Sequence, residues 1–337
     1  MPMARWVGRL GCLLLVAGCA TWAWVAALQG PVDAAATRGS DSENWRIELE
    51  LYVIDLRLAP LLLAVAGVGL LLAPRVRSFG IGSAVMAGAA VTAEAVTAAL
   101  EAVGAPPFIT SAALLVALVV VVRVGRRWSG PDVVVARRLT VAVGLVLLCS
   151  PFPMEVYLDF DAAILEGLPS GYLVSVRVLQ GLMLAAGAAC LLLGAKRLTV
   201  LHAVAAVAGG LGLFFAAVEA DVWWQLASLC GVVALVTAAA VAGEGSRPRR
   251  VAAAAILSGL LYLPFFWVCL LFQFGLGAVP LELNGGHIDY DGLPVFLSGP
   301  LSAVIVVAFV MWGAGWFEPP EADRSPSTSP APDHVEA

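Results

Sequence analysis

What most constrains this chain is a recurring pattern of apolar runs about 20 residues long, most of them closed by a short group of Arg, Gly or Pro residues. At a rise of 1.5 Å per residue, a run of that length crosses the ~30 Å hydrocarbon core of a bilayer as a helix. The runs are continuous rather than alternating, so the backbone polar groups must be satisfied within each segment, which predicts helices and not barrel strands. The chain is 61% hydrophobic and 13% charged over 337 residues, with a mean hydropathy of +0.94. That composition leaves no room for a sizeable soluble domain.

The runs fall at 6–28, 56–73, 79–103, 108–124, 133–150, 173–194, 198–218, 222–243, 251–274 and 299–317. They predict an all-α polytopic membrane protein of about ten transmembrane helices, forming a single domain over 1–317. The tail 318–337 is rich in Pro, Ser and acidic residues and is expected to be disordered and cytoplasmic.

Three longer polar connections interrupt the pattern. Residues 45–53 alternate apolar and polar from Trp45 to Val53 and read as a strand. Trp45, Leu49, Tyr52 and Leu56 also share one helical face, which fits a helix lying on the membrane surface. Near residue 284, Asn284-Gly285 separates Leu281-Glu282-Leu283 from His287-Ile288-Asp289, a hairpin signal. Together these predict a small extracytoplasmic β-hairpin cap. The third connection carries Asp159-Phe160-Asp161 before Leu168-Pro169, echoed by Asp289-Tyr290-Asp291 before Leu293-Pro294. The echo hints at a repeat of four helices.

Charge placement predicts orientation, because Arg and Lys concentrate in cytoplasmic connections. With the N-terminus inside, Arg5, Arg9, Arg75, Arg77, Arg126, Arg127, Arg137, Arg138, Lys196, Arg197, Arg247, Arg249 and Arg250 all fall on the inner side. The outer side retains Arg38, Arg46 and Arg57 among many more carboxylates. Both termini are therefore expected in the cytoplasm, with Arg137 and Arg138 snorkelling to the interface. The single lysine among many arginines suits a GC-rich bacterial genome, and the expected location is the bacterial inner membrane.

The candidate functional groups are polar residues inside apolar runs. Glu94 and Glu101, seven residues apart, share a helical face. A carboxylate at membrane depth is costly and faces a bundle interior or wet cavity beside a partner. Arg177 enters the sixth run from the same side, so it is expected to pair with Glu94, with Gln180 and Gln225 at similar levels. This predicts a polar cavity open to the outside, and with it a transporter or permease-like protein holding an unknown small molecule or lipid.

An integral-membrane enzyme acting on a polyprenyl-phosphate sugar type of lipid-linked substrate at the outer leaflet is the alternative reading. Its acidic residues would lie in the first outer connection, 41–55. A non-catalytic membrane partner or sensor is the third. No hydrolase, metalloprotease or nucleotide-binding motif appears in a usable context, so no catalytic residue is assigned.

Asp159, Asp161, Asp289 and Asp291 are weak candidates for a divalent cation, equally explained as solvated acidic loops. Beyond the lipid bilayer and a membrane-protein partner, no nucleic acid and no cofactor is expected. The six cysteines have no metal spacing and read as small packing residues. The stretch Val16-Ala17-Gly18-Cys19 resembles a lipoprotein processing site, but the apolar run continues past it through Trp22 and Trp24, which favours an uncleaved helix.

Overall fold

The apolar runs are helical wherever they are described. The computed structural model describes residues 2–39, 43–75, 79–85, 88–89, 92, 105–127, 132–151, 170–216, 222–283 and 298–317. In chain order the helices are α1 (Pro2–Gly39), α2 (Glu43–Leu72), α3 (Ala105–Gly125), α4 (Val133–Cys149) and α5 (Ser170–Gly194). They continue as α6 (Val200–Ala216), α7 (Val222–Gly243), α8 (Pro248–Leu283) and α9 (Ser298–Gly313). The fragments 79–85, 88–89 and 92 are also helical. No strand occurs among the described residues.

Among the described residues, four helical segments are long and apolar enough to cross a membrane: Ala4–Leu28, Pro107–Gly125, Val174–Gly194 and Pro248–Cys269. Shorter apolar helices run over Leu58–Leu72, Val200–Gly209, Ala227–Gly243 and Ser298–Gly313. An all-helical membrane protein follows from these lengths and compositions.

Two expectations are corrected. Trp45–Val53 is the first part of α2, so its alternation reflects a helix whose apolar positions also fit a 3.6-residue period. Leu281–Leu283 ends α8, which removes one arm of the expected hairpin. Residues 284–297 lie outside the described residues. Helix α1 likewise continues through Gly39, past the point where the sequence turns polar.

The helices pack as antiparallel neighbours around three apolar clusters. One lies among α1, α2 and α3 and contains Leu15, Trp22, Leu72 and Leu118. A second joins α1 and α2 to α5 through Leu14, Leu63, Leu179 and Met183. The third fills the space among α4, α7, α8 and α9 with Leu145, Val233, Tyr262 and Val306. On α5 the buried positions Val176, Leu179, Met183, Ala186 and Cys190 recur at three and four residues, forming one helical stripe. Val174, Val178 and Leu192 on its other face are apolar and exposed, as expected of a helix surrounded by lipid. Between α7 and α8, Ser258 Oγ donates to Thr237 Oγ1 at 2.8 Å, a polar tie inside the apolar core.

Two helix pairs approach so closely that only glycine fits, and they do so in the same register. A Cβ on Gly67 of α2 would lie 2.5 Å from the backbone N of Leu15 and 2.7 Å from the carbonyl O of Gly11 on α1. A Cβ on Gly144 of α4 would lie 2.9 Å from the carbonyl O of Gly187 on α5. Seven residues further on, Gly18 meets Pro60 and Ala64, while Gly194 meets Arg137 and Val141. Close backbone contact of this kind drives helix association in lipid, where burying apolar side chains gains little.

The chain's basic connections gather at one end of the bundle. Asp132 N donates to Pro74 O at 2.7 Å, joining the end of α2 to the start of α4. Arg197 N donates to Gly243 O at 3.0 Å, joining the α5–α6 connection to the end of α7. Arg138 Nη1 donates to Trp316 O at 3.3 Å, bringing in the turn after α9.

Candidate functional site

The sequence-derived site is only partly within the described residues. Glu94 and Glu101 lie outside them, as do Asp159, Asp161, Asp289 and Asp291. Gln225 is on α7, but its side chain is outside the described residues. What remains is Arg177 and Gln180, one turn apart on α5.

Gln180 belongs to the buried stripe of α5 and is 4% exposed. Its Oε1 accepts from Arg177 Nη1 at 3.2 Å, and its Nε2 has no hydrogen-bond partner among the described residues. Such a buried donor costs ~1–3 kcal/mol in desolvation. Gln180 lies ~21 Å along α5 from Gly194, well away from the basic end. Arg177 itself lies on an exposed face of α5. From the outer face of α5 its guanidinium reaches back to the buried amide. Nearby, Trp24 Nε1 donates to Ser175 Oγ at 3.1 Å, linking α1 to the same end of α5.

A second polar cluster, which sequence reasoning missed, occupies the basic end. Glu244 follows the last residue of α7, in a turn completed by Gly245 at φ +81°. The helix dipole disfavours a carboxylate at that end. Arg137, one turn into α4, compensates by donating from Nη2 to Glu244 Oε2 at 2.9 Å. Both side chains are withdrawn from solvent, at 12% and 4% exposure for Arg137 and Glu244. Lys196 Nζ stands 4.0 Å from the same oxygen.

Arg138 stacks over the Trp316 ring, 5.5 Å from its centroid. The two arginines therefore turn inward to protein partners, which corrects the expectation that they snorkel outward. The available signal was Glu244 itself: apart from Asp132, which caps α4 by accepting from Val134 N and Val135 N, it is the carboxylate placed among the short basic connections.

His202 sits beside this cluster at the third position of α6. Thr199 N donates to its Nδ1 at 3.2 Å, the reciprocal half of a capping box. Thr199 Oγ1 lies 3.0 Å from the same nitrogen. Nε2 has no partner among the described residues and lies close to Gly243, whose added Cβ would approach it to 3.1 Å.

Among the described residues, no three His, Cys, Asp or Glu side chains are grouped to hold a metal ion. All six cysteines are free thiols. Cys19 is buried in the middle of α1, where its carbonyl accepts from Ser111 Oγ of α3.

Compared with known proteins, the chain matches no family model, no curated protein and no solved structure. The geometry therefore carries the functional argument alone.

Proposed function

We propose that this protein is a bacterial inner-membrane permease-type transporter of ten helices, with both termini cytoplasmic and a polar cavity on the outer side around Glu94, Glu101, Arg177, Gln180 and Gln225. The observation that carries the reading is Gln180. A buried amide with an unspent donor, joined to an arginine within an apolar helix, is a costly arrangement that a polar solute would relieve. Arg177 beside it offers a planar cation suited to a carboxylate or phosphate.

The convergence of basic connections supports the topology. α2 ends, α4 starts, α5 ends, α6 starts, α7 ends and the turn after α9 lies at one end of the bundle. Each departure from that end is matched by a return. Between Pro74 and Asp132 a departure and return need two crossings, for which α3 and the helical fragments beginning at Phe79 are available. Because that end carries the Arg and Lys residues, it is assigned to the cytoplasm.

The test is thermal unfolding of the detergent-purified chain against a panel of ions, small metabolites and polyprenyl-phosphate sugars, in wild type, Arg177→Ala and Gln180→Leu. A ligand of the folded state raises the midpoint by mass action. A shift in wild type that disappears in both folded variants is the expected result. A shift confined to polyprenyl-phosphate sugars and lost on neutralising the acidic residues of 41–55 would replace transport with the lipid-linked enzyme. No shift with any compound, with a large stability loss in Arg177→Ala, would leave a membrane partner or sensor.

A further inference from the structure

An apolar groove ends at His202, short of a group of exposed cations, and groove and cations together describe a ligand of mixed character. A cavity of about 250 Å³ lies among α4, α5, α6 and α7. Its wall on α5 extends from Leu184 through Ala188 to Leu192, and its wall on α6 from His202 through Ala206 to Gly209. Those stretches span ~10–12 Å along the helix axes, so the space is elongated parallel to the helices. It exists because small side chains occupy positions where bulkier ones would interdigitate.

Ala185, Leu192 and Ala206 are exposed, so the groove opens sideways from the bundle. A dry apolar groove of this shape, facing hydrocarbon, suits a hydrocarbon chain.

The end of the groove differs from its walls. His202 is 7% exposed, and its Nδ1 is occupied by Thr199. The capping contact holds the ring in place, and Nε2 is enclosed against Gly243, so the imidazole closes this end of the groove. Beyond it lie the exposed Lys196 and Arg197, and the connection after α7 adds the exposed Arg247, Arg249 and Arg250. The one carboxylate close to Lys196, Glu244, is compensated by Arg137. A groove closed at one end by an imidazole, with exposed cations beyond it, is the order of an acyl chain and its phosphate.

We propose that this groove binds one acyl chain of an anionic glycerophospholipid from the surrounding bilayer, with the phosphate over Lys196 and Arg197. The site lies at the opposite end of the bundle from Gln180 and stands whether or not the transport reading does. Charge complementarity selects the anionic class, since basic residues near a membrane surface attract acidic headgroups.

The experiment measures thermal unfolding of the full chain in detergent with dioleoylphosphatidylglycerol, dioleoylphosphatidylcholine or inorganic phosphate. Phosphatidylglycerol is expected to raise the midpoint at least ~3 °C more than phosphatidylcholine, with inorganic phosphate inert. In Lys196→Gln/Arg197→Gln the two lipids become equivalent. In Ala206→Phe, or Ala185→Phe on the facing wall, a bulky ring from an exposed position fills the groove and both lipid shifts fall away.

Equal shifts for the two lipids in wild type would overturn the proposal. So would a phosphate shift matching that of phosphatidylglycerol, or an undiminished preference in the Lys196→Gln/Arg197→Gln chain. That last variant changes only exposed side chains, so its result decides the matter even where a groove-filling variant does not fold.

Discussion

Arg137 and Arg177 both interrupt apolar helices, yet the fold treats them in opposite ways. Arg137 is drawn inside and paired across the bundle with Glu244, more than 100 residues away in the chain. Arg177 remains exposed and contacts Gln180 three residues along its own helix. The first contact joins separate segments and so contributes to holding α4 against the end of α7. The second can form within an isolated α5, and it leaves Gln180 Nε2 buried without a partner among the described residues. Arg137 is a buried charge with a distant partner and marks a structural clasp, whereas Gln180, whose Nε2 has no partner among the described residues, is the group on which the proposed solute site rests.

The sharpest way to break this contrast is to remove Arg137. Arg137→Ala leaves the Glu244 carboxylate buried and at the unfavourable end of a helix dipole, with Lys196 as its remaining cationic neighbour. The expected loss is ~3–5 kcal/mol of folding stability, read from unfolding of the detergent-solubilised protein. A loss under ~1 kcal/mol would mean that Lys196 replaces Arg137 and that the pair is no clasp.

Removing both charges tests the same point from the other side. Arg137→Leu/Glu244→Leu should recover most of the single-variant loss, to within ~2 kcal/mol of wild type, because an apolar pair carries no desolvation cost. If the double variant is as unstable as Arg137→Ala, the ion pair acts through its hydrogen-bond geometry.

The smallest effect belongs to Gln180. Gln180→Leu removes a buried donor that has no acceptor, so stability should be unchanged or rise by up to ~1 kcal/mol. A fall of ~2 kcal/mol would show instead that Nε2 is hydrogen-bonded, and the distinction between the two arginines would narrow.

Much of the helical class was legible because its cause is local. The apolar stretch around Leu179 and Met183 must satisfy its own backbone in lipid, and a helix does so wherever it sits. The reading failed at Trp45–Val53, where apolar positions fit periods of two and of 3.6 residues equally well. Alternation alone could not separate them, and the structure resolves the segment as part of α2. The site was less legible. Polar residues in apolar runs drew attention to Arg177 and Gln180, but the spacing could not reveal that Arg177 lies on an exposed face.

The sequence by itself determined that this chain is helical and apolar enough for a membrane, since hydropathy and backbone hydrogen bonding depend only on neighbouring residues. It also determined which connections carry the cations. Tertiary structure decided what those cations do. Glu244 reads as an ordinary loop carboxylate until α4 brings Arg137 to it, and His202 reads as a lone histidine until α5 and α7 build a groove beside it. Gly67 and Gly144 are two glycines among 34 until their helices meet backbone to backbone. Each of these roles rests on contact between residues far apart in the chain, and packing alone chooses those partners.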